Sequence, residues 1–199
     1  MKLPETIESV SIIDGQIPCG PYPSLGFVPL FDDELGNGDC FGLYWPFGKE
    51  EFEPIICDMS HDGGIIWPVF SSLNSFLDNL GRGRDDFEEE NFAPYFYTQG
   101  KNSLAANNVE SAVGFFQKAC DIMPEISRYW FSLATQLRRM GRIKESAEAC
   151  LRAFLSNWSF GIPTDAVYQF VKSIAKQGLL TDDPIIQVAQ TLRCCAIIT

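Results

Sequence analysis

His61-Asp62 is the one place in this chain where acid–base chemistry could start, because His61 is the only histidine. An imidazole acts as a general base when a nucleophile or a metal lies within hydrogen-bond reach. No serine, cysteine or glutamate stands at a spacing that ties it to His61, so the pair reads as a turn histidine satisfied by its neighbour. Glu50, Glu51 and Glu53 would supply paired carboxylates, but they fall between two apolar runs and read as solvated residues of a hairpin connection. Gly36-Asn37-Gly38 is followed by neither a helix nor a lysine, so it is a tight turn and not a phosphate loop. The seven cysteines, Cys19, Cys40, Cys57, Cys120, Cys150, Cys194 and Cys195, make no C-x-x-C pair. A tetrahedral zinc site needs four convergent ligands, and reduced thiols of a cytosolic protein are the simpler account. No catalytic residue, cofactor or metal site is therefore expected.

The elements around these residues fall into two grammars. In the first half, Cys40 to Trp45 alternates: Phe41, Leu43 and Trp45 share one face of a strand, and Cys40, Gly42 and Tyr44 the other. With Pro54 to Cys57 it makes an antiparallel hairpin. Phe27 to Phe31 is an apolar run broken by proline, which suits an edge strand, and Val10, Ile12 and Ile13 suit a short one. Ile65-Ile66-Trp67 reads as a further strand ended by Pro68. A serine-capped helix follows, with Leu73, Phe76, Leu77 and Leu80 on one face. Asp85 to Glu90 is the densest charge run and reads as a solvated linker.

The second half repeats itself. Phe96 and Trp130, Gly100 and Ala134, Ala112 and Ser146, Phe116 and Cys150, and Ala119 and Ala153 are pairs 34 residues apart. That is the period of the tetratricopeptide repeat, a helix–turn–helix unit whose small residues sit where its two helices approach closely. Helices are expected near 94–107, 109–122, 127–140 and 143–156, with a degenerate capping pair at 164–177 and 183–196. The expected fold is an α+β domain with a small antiparallel sheet and a helix over 1–84, an acidic linker over 85–93, and an all-α tetratricopeptide-like array over 94–199.

Charge divides the chain in the same place. Residues 1–92 carry 18 Asp and Glu against 4 Lys and Arg, a balance of −14, and residues 93–199 carry 8 against 11, a balance of +3. The acidic half repels nucleic acid and anionic membrane and favours basic protein partners. Its candidate contacts are Asp32, Asp33, Glu34, Asp39, Glu50, Glu51 and Glu53. Arg138, Arg139 and Arg142, with Lys144, make a basic patch at one helix–helix turn, which could meet the acidic half, an outside acidic partner, or only water. The first residues show no apolar leader and no stretch approaches about 18 consecutive apolar residues, so neither secretion signal nor membrane span is expected, and a cytoplasmic location is.

Residues 25–80 resemble the SUKH superfamily, named for a yeast cell-wall synthesis regulator. The resemblance rests on Pro29-Leu30-Phe31-Asp32, on the turn Gly36-Asn37-Gly38-Asp39-Cys40-Phe41, on the strand Pro54-Ile55-Ile56, and on the serine-capped helix from Ser71 to Phe76. The family's opening helix is at best reduced to Leu3-Pro4-Glu5. The resemblance implies protein binding, since many bacterial relatives are similar to immunity proteins that neutralise toxins, often nucleases, by occluding them. The runner-up expectation is an adaptor whose repeat half docks one protein and whose first half docks another.

Overall fold

Alternation in the run from Cys40 to Trp45 builds the centre of a sheet. A computed structural model of the chain describes residues 6–7, 10–11, 27–30, 39–49, 51–60, 62, 64–81 and 89–191. Four strands, β3 (Phe27–Pro29), β4 (Cys40–Tyr44), β5 (Ile55–Ser60) and β6 (Ile65–Phe70), pair antiparallel in sequence order. Two shorter ones, β1 (Thr6–Ile7) and β2 (Val10–Ser11), pair with each other. The chain separates into two units, one comprising Met1–Tyr95 with Ser159–Gly161, the other Phe96–Trp158 with Ile162–Thr199.

In the first unit the pairing register lines up Val28, Leu43, Ile56 and Phe70 in one row across the four strands. Helix α1 (Leu73–Gly81) closes this face: Leu30, Leu43, Ile56, Phe70 and Phe76 form the buried cluster, with Phe41, Trp45, Leu73 and Leu77 packed against it. The Phe76 ring lies 5.2 Å from that of Phe41 and 5.6 Å from that of Phe70. Leu80, placed on the apolar face by spacing, is 40% exposed, so the buried stripe ends one turn earlier. The opposite face is buried too, through Phe27, Tyr44, Cys57, Met59 and Ile66. There the Phe160 ring meets Tyr44 edge-on at 5.1 Å. Gly42 is required on this face, because a Cβ would lie 2.3 Å from the Phe27 ring and 2.7 Å from the Val28 carbonyl.

Two sequence expectations change here. Pro68 does not end its strand: β6 runs through it to Phe70, with a register shift where Ile56 and Cys57 pair with Phe70 and Pro68 and leave Val69 of β6 as the extra residue. β6 is an edge strand, where a proline's missing N–H can face away from the ladder. The acidic run is also not simply a solvated linker. Glu89 accepts hydrogen bonds from the Ser71 N–H (2.5 Å), the Ser71 hydroxyl (2.7 Å) and the Ser75 hydroxyl (2.9 Å). It thereby places a carboxylate at the N-terminus of α1, where unsatisfied N–H groups and the helix dipole favour negative charge. The Ser75 N–H bonds the Ser72 hydroxyl oxygen at 3.1 Å, so Ser72 is the capping serine.

The second unit is helical: α2 (Ala93–Ala105, entered at its Phe96), α3 (Val109–Ile122), α4 (Ser127–Arg139), α5 (Ile143–Phe154), α6 (Asp165–Lys176) and α7 (Pro184–Thr191), while the 3-10 turn Trp158–Phe160 between α5 and α6 passes from this unit at Trp158 into the first at Ser159. From α3 to α7 each helix packs on the next. The turns recur with the sequence. Asn107 and Gly141, 34 apart, both have positive φ (60° and 76°). The Asn108 N–H bonds the Ser103 carbonyl at 2.8 Å and the Arg142 N–H bonds the Leu137 carbonyl at 2.9 Å. The Asn107 N–H bonds Leu104 at 2.9 Å and the Gly141 N–H bonds Arg138 at 3.0 Å. Each pair of bonds is a Schellman closure, with a left-handed residue just past the helix. Gly178 (φ 66°) closes α6 the same way, through the Leu179 N–H to Ile174 (3.2 Å) and the Gly178 N–H to Ala175 (3.3 Å).

Side-chain packing follows the same period with different sizes. Gly100 lets the Phe116 ring lie where its Cβ would be, 2.4 Å from the nearest ring carbon. At the positions 34 residues on, Ala134 and Cys150 are both fully buried. There the Ser146 hydroxyl donates to the Ala134 carbonyl at 2.7 Å, which satisfies a buried polar group inside the pair.

Candidate functional site

In the first unit the connection between β4 and β5 is a built turn. The Lys49 N–H bonds the Pro46 carbonyl at 2.9 Å, and the Phe52 N–H bonds the Lys49 carbonyl at 3.0 Å. Gly48 supplies the positive φ (75°) that the first of these turns needs. Two aromatic side chains stand out on it, Phe47 at 57% and Phe52 at 67% exposure. Glu51 and Glu53, chosen from sequence as contacts, are exposed on the same connection, while Glu50 lies outside the described residues. Phe47 and Phe52 were missed, because apolar residues beside strands read as core by pattern alone.

Asp39 precedes β4 and is half-buried, so it is a poor contact residue. Its charge acts on Asp58, which pairs with Phe41 and Trp67 across the sheet. Burial pushes the Asp58 carboxyl above its ordinary range and the neighbouring Asp39 charge pushes it further, against a backbone hydrogen bond at Met59 that lowers it. Asp32, Asp33, Glu34, His61, Cys194 and Cys195 lie outside the described residues. Asp62, the histidine's neighbour in sequence, is an exposed turn residue.

In the second unit a groove of about 360 Å³ runs between α3 and α5 over a floor formed by α4. Trp130, Leu133 and Leu137 make the apolar floor, and Arg142, Glu145 and Arg152 stand on the α5 side. The Trp130 indole N–H donates to the Pro124 carbonyl at 2.7 Å, and the Arg152 guanidinium lies 4.8 Å from the indole ring. That fixes the floor tryptophan from both ends. Gly114 also lines the groove, and a Cβ there would meet nothing within 4 Å.

The three arginines chosen from sequence do not converge. Arg138 stacks over the Phe170 ring of α6 at 4.8 Å, and Arg139 donates to the Gln136 side-chain oxygen at 2.8 Å. Only Arg142 reaches the groove, and it is paired with Glu145 through its Nε at 2.8 Å and through Nη2. The pairing raises the Arg142 pKa and lowers that of Glu145, as expected of a hydrogen-bonded ion pair on an open surface. A patch legible as charge is thus spent on contacts within the unit, one of them to a ring 32 residues away in sequence.

The cysteines Cys40, Cys57, Cys120 and Cys150 are buried. Burial pushes the Cys150 thiol up to about 12, and pushes Cys120 higher still with help from the Asp121 charge. Neither is a thiolate nucleophile. Among the described residues no three His, Cys, Asp or Glu side chains are grouped to hold a metal ion, and no helix is long and apolar enough to cross a membrane.

Residues 12–91 match the model of the YfbP N-terminal domain family. The chain is 39% identical over 195 residues to the uncharacterized protein YfbP of Escherichia coli (strain K12), covering 94% of this chain and 69% of that one. A shorter likeness, 35% identity over 60 residues, links 30% of this chain to 70% of an uncharacterized protein of Methanocaldococcus jannaschii. With this identity over nearly its whole length, and with the N-terminal domain matched separately, the chain belongs to the YfbP family.

Proposed function

We propose that this protein works by binding other proteins and not by turnover, as an immunity or inhibitor protein that neutralises a bacterial toxin, with a basic nuclease as the favoured target. The observation that carries this reading is the 34-residue recurrence of both turn and packing in the second unit: Schellman closures at Asn107 and Gly141, and close helix contacts at Gly100–Phe116 and Ala134–Ser146. This recurrence supports a tetratricopeptide-like array, and such arrays present grooves like the one floored by Trp130 to peptides and helices. The first unit supports a SUKH-like domain through its β4–β5 hairpin and the α1 cluster around Phe76. The charge balance of −14 over residues 1–92 supports a basic target. The buried thiols support a reducing, cytosolic setting.

The test is co-expression of the full chain with the products of its flanking genes. The reading expects one of them to be toxic alone, to be tolerated in the presence of this protein, and to co-elute with it at fixed stoichiometry. Toxicity unrelieved by this chain, with no complex formed, refutes it. A second reading, an adaptor joining two partners, is favoured by the division into two units, each with its own exposed surface: the β4–β5 turn in one and the groove in the other. It expects a ternary complex in which substitutions on either surface release one partner and keep the other.

A further inference from the structure

We infer that the β4–β5 turn is the docking tip of the first unit, and that its occupant is a basic protein segment carrying apolar side chains between its lysines or arginines. This rests on the binding reading above and names the surface and the chemistry of the partner.

Three observations converge on the tip. Phe47 and Phe52 are 57% and 67% exposed, two large aromatic rings five residues apart on one connection. Exposed aromatic side chains, phenylalanine among them, are enriched at protein interfaces. The described residues of the tip are also braced by their own backbone, through the Lys49–Pro46 and Phe52–Lys49 hydrogen bonds, with Pro46 buried at the base. Less conformational freedom is therefore lost on binding than for a loose loop. Third, the exposed carboxylates of Glu51 and Glu53 flank Phe52, in a half of the chain whose charge balance is −14. Carboxylates beside aromatic faces suit a guanidinium or ammonium group, which gains charge pairing from one and cation–π attraction from the other. The same charge disfavours an anionic membrane, the other surface that exposed phenylalanines could enter.

The experiment uses the full chain and a fluorescein-labelled dodecapeptide of alternating arginine and leucine, followed by anisotropy. Controls are arginine–serine and glutamate–leucine dodecapeptides and vesicles of phosphatidylcholine with phosphatidylglycerol. The arginine–leucine peptide is expected to bind, the arginine–serine peptide at least about tenfold more weakly, and the glutamate–leucine peptide and the vesicles not at all. F47S and F52S should each weaken binding on the order of tenfold. Glu51→Lys with Glu53→Lys should abolish it, and raising salt from about 0.05 M to about 0.5 M should weaken it. Both phenylalanines are exposed, so circular dichroism of the variants should match the parent. Failure of the arginine–leucine peptide to bind, equal binding of the acidic peptide, preference for the vesicles, or affinity unchanged in F47S/F52S each overturns the proposal. If the toxin complex described above forms and is untouched by F47S/F52S, the tip is refuted while the binding reading stands.

Discussion

Gly100→Ala should destabilise the second unit even though it puts a better helix former into the interior of α2. Alanine is favoured over glycine in a helix by about 1 kcal/mol. Against that stands a steric cost that can be read from the structure. The new Cβ would lie 2.4, 2.6 and 2.9 Å from three carbons of the Phe116 ring, where ordinary carbon contacts are about 3.5–4.0 Å. The ring must retreat by about 1 Å, and it has little room: Phe116 is 1% exposed and the Tyr97 ring lies 5.6 Å away. Overpacking of this kind costs about 1–3 kcal/mol or more, and a contact this short belongs at the upper end. The net expectation is a loss of about 2 kcal/mol.

Gly114→Ala is the control. Gly114 lies in α3, exposed, and its Cβ would meet nothing within 4 Å, so only the propensity gain of about 1 kcal/mol remains. The two substitutions are chemically identical and should move stability in opposite directions. Urea unfolding followed by helical ellipticity reads both, with the slope unchanged and the midpoints displaced to either side of the parent. Phe116→Leu should recover part of the loss in the Gly100→Ala background, giving a favourable coupling energy between the two sites. If Gly100→Ala is as stable as Gly114→Ala, or if the double variant shows no coupling, the close approach of α2 and α3 is not what this glycine serves.

Three further outcomes are expected. Asn107→Gly should stabilise by up to about 1 kcal/mol, because glycine adopts the positive φ of 60° at this helix end without the strain an asparagine carries; an unfolding midpoint below the parent's would refute this. Glu89→Ala should cost about 1–2 kcal/mol in the first unit, since one carboxylate accepts three hydrogen bonds at the start of α1, and hydrogen exchange should show α1 opening more readily. Asp58→Asn should stabilise at neutral pH. The folded state holds the Asp58 proton to higher pH than the unfolded chain does, so the parent's stability from this group is greatest below the ordinary aspartate value of about 3.9 and falls as pH rises through the folded one. The advantage of the variant should therefore vanish in acid, and an advantage independent of pH would rule out this cause.

Local period explains which parts of the fold were legible in the sequence. Phe41, Leu43 and Trp45 alternate, so their face could be assigned before any coordinates, and they line the α1 side of the sheet. The helices from α2 to α7 lie within a few residues of the windows set by apolar spacing, and residues 192–196 of the last window lie outside the described residues. What pattern could not give is whatever depends on partners distant in the chain. The capping role of Glu89 requires Ser71 and Ser75, 18 and 14 residues back. Arg138 looks like a surface cation until Phe170 is brought beneath it. Pro68 reads as a strand end because composition does not reveal that β6 is at the edge. Phe47 and Phe52 were passed over for the opposite reason: phenylalanine is usually buried, and only coordinates show a ring in solvent.

The division of labour inside the helical unit bears on what its surface can do. Its turns are closed by backbone hydrogen bonds that recur although the residue in the left-handed position changes from Asn107 to Gly141 and Gly178. Its buried small-residue position changes from Gly100, on which the Phe116 ring lies, to Ala134, whose carbonyl accepts from the Ser146 hydroxyl. Backbone closure and buried volume thus set the positions of the helices. Gln117 on α3 and Glu148 on α5, both lining the groove, are exposed and stand outside both devices. Substitutions there should change the groove's surface at little cost to folding. Trp130 is the exception, since it floors the groove and is also tied to Pro124 and Arg152. Its replacement should cost stability and binding together, whereas replacement of Gln117 or Glu148 should separate the two.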